Sequence, residues 1–192
     1  MSKLYLAPME GLTGYVYRNA HRACFGEMDG YFTPFLASKK LSSKEKREVL
    51  PENNLNMNVI PQILTNKTDE FLSIARQLKD RGYTSVNLNL GCPSGTVTAK
   101  NRGAGFLKVK DELEEFLKVI FEECPLNISV KTRIGAYHDE EFLELIEISL
   151  LLALKERGRL DLIQYKHAEE ILRSKQRNRI NNVLSKRENG ND

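Results

Sequence analysis

From residue 3 to residue 158 one pattern recurs: a short run rich in β-branched, leucine and aromatic residues, then a longer run with helical spacing. Strands are expected at 3–8, 30–36, 59–64, 84–90 and 127–133. Helices are expected at Thr13–Arg22, from Thr68 to a stop at Gly82, at Asp111–Glu123, and from Asp139 to Gly158. The stripe of the second is Phe71, Ala75 and Leu78; that of the third is Leu113, Phe116, Leu117, Ile120 and Phe121. The fourth carries Phe142, Leu145, Ile146 and Leu150. The Lys-rich stretch Ser38–Asn58 has no clear period. Strand–helix alternation forces crossover connections, so the sheet is parallel and covered by helices.

The ends of these strands choose between two parallel architectures. Polar or special residues stand at or just past five successive C-termini: Pro8-Met9-Glu10, Thr33-Pro34, Gln62, Asn89 to Cys92, and Lys131 to Arg133. An open doubly wound sheet gathers its ligands at one crevice, whereas a (β/α)8 barrel uses the whole rim. The expected fold is therefore α/β: a partial TIM-type barrel of about five βα units over 1–150, then a helical segment over 151–192. The second part reads as helix from 159 to 188, with no sixth strand. A full barrel needs about 250 residues, and this chain has 192.

Charge divides at the same place. Residues 151–192 hold ten Lys/Arg against six Asp/Glu, and residues 1–150 hold nineteen against twenty. A basic end suits nucleic acid, although a solvated helix face is the commoner cause. No window is apolar enough for a membrane span, and the N-terminus has no apolar stretch of signal-peptide length. Three cysteines at 24, 92 and 124 form no CxxC. Free thiols in a reducing cytoplasm are the expectation.

Among these thiols Cys92 stands apart. It follows a strand directly, between Gly91, which permits a tight turn, and Pro93, which sets the next dihedral. A thiol on a rim can act as a nucleophile or a proton donor. Cys24 and Cys124 lie within or at the end of helices and are expected as small buried hydrophobes. The Gly-rich basic segment 95–105 reads as a phosphate cradle or a flexible lid, but it lacks the GxxxxGK[ST] form. Lys131 and Arg133 alternate on one strand and so share a face, where they need an anion, an electron-rich ring, or a carboxylate such as Glu10. No histidine has a partner at metal-ligand spacing.

Four ordered segments, Ala7-Pro8-Met9-Glu10-Gly11, Pro61-Gln62-Ile63-Leu64, Asn87 to Ser94, and Lys131-Thr132-Arg133-Ile134-Gly135, resemble the tRNA-dihydrouridine synthases over residues 3 to about 148. The resemblance implies an FMN enzyme that reduces the 5,6 double bond of particular uridines in tRNA, with NADPH as reductant. It implies that Cys92 is the proton donor to uracil C5, that Pro8, Met9, Gln62 and Lys131 contact the flavin ring, and that Asn89 and Arg133 line the uracil pocket. It gives no counterpart for residues 149–192, nor for the family's His, Asn-Gly-Asp and Gly-Arg motifs, the last two of which cradle the FMN phosphate. The alternative is a truncated derivative without catalysis, binding RNA at most through the basic tail. Another flavin barrel, such as a dihydroorotate dehydrogenase, is disfavoured by the run Asn87–Ser94. Unpaired barrel edges would also favour self-association.

Overall fold

A computed structural model describes residues 3–135 together with 138, 141 and 145. The helix expected from Asp139, the helical tail and the boundary at 150 lie outside the described residues. The strands are β1 (Tyr5–Leu6), β2 (Gly30–Phe32), β3 (Val59–Ile60), β4 (Gln62–Ile63), β5 (Ser85–Leu90) and β6 (Asn127–Thr132). The helices are α1 (Tyr15–Phe25), α2 (Ser43–Glu48), α3 (Thr68–Lys79), α4 (Gly95–Thr98) and α5 (Lys110–Glu123). Short 3-10 turns cover Pro51–Asn53 and Gly103–Lys108.

The third expected strand is present but split. Pro61 has no N–H to give a ladder, so pairing breaks there. On one side β3 pairs with β2, and on the other β4 pairs with β5. The Pro61 carbonyl still accepts the Asn87 N–H at 2.8 Å, which joins the two halves. All pairs are parallel, and neighbour order follows chain order: β1, β2, β3/β4, β5, β6. A doubly wound sheet reverses order at its switch point, and a barrel does not. The described residues form part of a barrel wall.

β5 is buried on both faces, as an inner parallel strand should be. Val86, Leu88 and Leu90 face the helices and join a core with Phe71, Ile74 and Leu78 of α3 and Leu113, Phe116 and Leu117 of α5. Phe116 meets Phe71 and Phe106 edge-on, at 5.9 and 5.2 Å between ring centroids. Asn87 and Asn89 take the opposite face.

Two stretches gained order that periodicity did not show. Ser42 and Glu45 form a capping box that starts α2, with Glu45 Oε2 also accepting the Ser42 N–H at 2.8 Å. The Gly-rich segment carries α4 and the start of the second 3-10 turn, and Phe106 and Leu107 just after it pack into the core. Cys124 is buried as expected, but Cys24 is exposed. α1 buries only Arg18, so most of its surface, Cys24 included, faces outward.

Candidate active site at the strand C-termini

Cys92 is held from three sides. Its N–H and that of Gly91 both donate to Asn89 Oδ1, at 2.7 and 3.0 Å. Its carbonyl accepts the Ala104 N–H at 3.0 Å. Gly103, at φ +55°, lies so close that a Cβ there would come within 2.7 Å of the Cys92 carbonyl oxygen. The thiol residue is half-buried in a braced turn.

The brace extends sideways through α3. Glu70 Oε2 accepts from Thr65 Oγ1 at 2.5 Å and from Arg102 Nη2 at 3.0 Å, and Arg102 Nε donates to Asn66 Oδ1 at 3.3 Å. Asn66 Nδ2 donates to the Lys100 carbonyl at 3.1 Å. The basic residues of this segment are thus partly spent on holding it: Arg102 is neutralised by Glu70 rather than presented to an anion.

Beneath Cys92 a file of side-chain amides crosses the sheet. Asn89 Nδ2 donates to Gln62 Oε1 at 2.8 Å, Gln62 Nε2 to Asn87 Oδ1 at 2.7 Å, and Asn87 Nδ2 to Ser129 Oγ at 2.9 Å. Gln62 itself is seated by its backbone, which receives Leu36 N–H at 2.7 Å and donates to Thr33 Oγ1 at 3.1 Å. Gln62, Asn87 and Asn89 are buried, where an unpaired amide would cost about 1–3 kcal/mol.

The remaining expected residues fall around this group. Lys131 is the register partner of Asn89 on β6, is exposed, and has no ion pair among the described residues. Arg133 Nε donates to the Gly91 carbonyl at 2.9 Å. Neither reaches Glu10, which pairs with Lys44 at 3.5 Å. Pro8 and Met9 stand at the end of β1, two ladders away, with no hydrogen bond to the amide file. The Met9 backbone is pinned there by Thr13, whose Oγ1 accepts the Met9 N–H at 2.8 Å. Thr13 in turn rests on a buried cation: Arg18 donates to the Thr13 carbonyl, Glu48 Oε2, the Glu48 carbonyl and Asn54 Oδ1, at 2.8–3.0 Å.

Sequence reasoning missed Asn87, Ser129 and Arg18. The first two carried a signal, since Asn87 stands two residues before Asn89 and Ser129 two before Lys131, on the same strand faces. Arg18 carried none, for a charged residue in a polar helix reads as solvated. No group of His, Cys, Asp and Glu suited to a metal occurs among the described residues.

A parallel strand order that follows the chain, with a thiol, amides and cations collected at one rim, defines a catalytic-type (β/α) barrel segment. The family model described as Dihydrouridine synthase (Dus) matches residues 5–151, and the chain belongs to that family. A probable tRNA-dihydrouridine synthase of Staphylococcus aureus (strain COL) is 29% identical over 141 residues, covering 71% of this chain and 42% of that protein. The probable tRNA-dihydrouridine synthase of Staphylococcus epidermidis (strain ATCC 12228 / FDA PCI 1200) is 28% identical, with 71% and 43% covered. tRNA-dihydrouridine synthase B of Vibrio vulnificus (strain CMCP6) is 27% identical over 179 residues, covering 88% of this chain and 54% of that protein. The chain thus spans about half, or less, of the length of these relatives. The family is one of flavin-dependent oxidoreductases. Among the described residues no helix is long and apolar enough to cross a membrane.

Proposed function

We propose that this chain carries the uridine-reducing site of its family, with tRNA as substrate, FMN as cofactor and NADPH as reductant. The observation that carries this reading is the Cys92 turn, a half-buried thiol braced on both sides and joined to Asn89 and Gln62. The donor set suits the ring side of a flavin. Gln62 retains one amide N–H beyond that engaged among the described residues, and Lys131 adds an ammonium group. The pyrimidine edge of a flavin presents carbonyl oxygens and gains negative charge on reduction, which a cation stabilises. Lys131 and Gln62 would hold that edge, with Pro8 and Met9 contributing apolar contact from β1.

A reduced flavin held there by Gln62 and Lys131 would supply the hydride for uracil C6. Cys92 completes the addition: its S–H bond breaks, the proton goes to C5, and the thiol becomes a thiolate. Asn89 and Arg133 orient the base. The uridine must leave its stack to reach a thiol set in a rim turn. Pairing of the β1 and β6 edges, each paired on one side among the described residues, with a second copy belongs to the same reading.

The test is to purify the chain, record its flavin spectrum, and measure NADPH-dependent loss of uridine from unmodified tRNA. Cys92→Ala should reduce turnover at least 100-fold while FMN binding stays near wild type. A colourless protein indifferent to FMN would overturn the reading, and loss of flavin in Cys92→Ala would make that residue structural.

A further inference from the structure

We propose that Asn87 and Ser129 are positioning residues for the Cys92 turn, acting through the amides of Gln62 and Asn89; the catalytic meaning of that turn rests on the function proposed above. The amide file has one permitted direction. The N–H groups of Gly91 and Cys92 can only donate, so Asn89 must turn its oxygen to them and its nitrogen to Gln62. Gln62 must then face Asn87 with its nitrogen, and Asn87 must face Ser129 with its own. At the far end Ser129 Oγ accepts from Asn87 and donates at 3.2 Å to the Val86 carbonyl, so the hydroxyl closes the file. Reversing any single amide sets donor against donor or acceptor against acceptor in a buried site.

This order has a chemical consequence for the rim. Both lone-pair directions of Asn89 Oδ1 are taken by the Gly91 and Cys92 N–H groups. What Asn89 can still offer is one N–H, so a ligand that meets it meets a donor. Carbonyl oxygens are accepted and amino groups refused. Ser129, on β6, therefore helps hold a residue on β5 and the backbone of the turn beyond it, without touching either.

The experiment is residue-resolved amide hydrogen exchange on the full chain, comparing Ser129→Val with the near-isosteric Ser129→Thr, which keeps the hydroxyl. Freeing the Asn87 amide loosens the file that holds Gln62 and Asn89 in place, so Gly91 and Cys92 should exchange about tenfold faster in Ser129→Val. The other β5 amides should keep their protection, and Ser129→Thr should match wild type. Ser129→Ala serves in the same comparison where the valine variant does not fold. Unchanged Gly91 and Cys92 exchange, equal behaviour of the threonine and valine variants, or acceleration spread evenly over Ser85–Leu90 would each overturn the proposal. The readout needs neither flavin nor tRNA, so a chain with this exchange pattern and no reductase activity would sink the proposed function alone.

Discussion

Gly103 packs its α-carbon against the Cys92 carbonyl, and its φ of +55° lies in the left-handed region that a side chain disfavours. Gly103→Ala therefore meets both a conformational cost and a clash with backbone that cannot swing away. We expect a loss of about 2 kcal/mol or more in urea denaturation, and a fall in turnover larger than the fall in FMN affinity. Tyr83 makes a second prediction at this scale. Burial is the main reason its phenol is pushed up to about 12, against the lowering influence of Arg18 and Arg81, and its hydroxyl donates to the Val49 carbonyl at 3.2 Å. The unfolded chain ionises this phenol near its ordinary value of 10.0, before the folded chain does. Its contribution to stability is thus complete below about pH 10 and is lost as pH rises toward 12. Tyr83→Phe should lose less stability than wild type between pH 9 and pH 12, measured by chemical denaturation at each pH. Equal losses would show that the phenol does not control alkaline unfolding.

At the scale of elements, the buried Arg18–Glu48 pair fastens α1 to α2 and, through the Thr13 carbonyl, to the turn that holds Met9. Burial lowers the Arg18 pKa, against the raising influence of Glu48. A guanidinium still keeps its proton across the ordinary pH range. Removing one partner strands the other charge, at a cost of about 3–5 kcal/mol. Arg18→Met should show a loss of this size by denaturation; a loss below 1 kcal/mol would place the fastening elsewhere. Arg18→Lys should recover only part, because an ammonium cannot span four acceptors with a planar fork. The elements themselves were legible to different degrees. Stripes on α3 and α5 were readable because both helices bury one face. α1 buries no apolar residue, so Cys24, expected as a small buried hydrophobe, came out exposed. The start of α2 was written in Ser42 and Glu45, but a six-residue helix has too few turns for periodicity to show.

For the whole molecule, the decisive feature is that β1 and β6 each pair on one side only among the described residues. Leu4 and Ile134, beside those edges, are 63% and 42% exposed. Self-association through these edges should appear as concentration-dependent sedimentation, and Leu4→Lys with Ile134→Lys should shift the chain toward monomer. Identical sedimentation of the two would remove the edges as the cause. The sequence by itself determined the alternation of strands and helices, hence a parallel α/β wall, and it singled out the Cys92 turn. It did so because crossover topology, turn chemistry and strand periodicity are local and written in neighbouring residues. Only the tertiary structure decided what holds that turn. Asn89, Gln62, Asn87 and Ser129 lie on three strands, and Glu70 reaches Arg102 from a helix 32 residues earlier. Hydrogen bonds between groups so distant in the chain depend on strand register, which places Asn87 opposite both Gln62 and Ser129. No local pattern encodes a partner that arrives only when the sheet assembles.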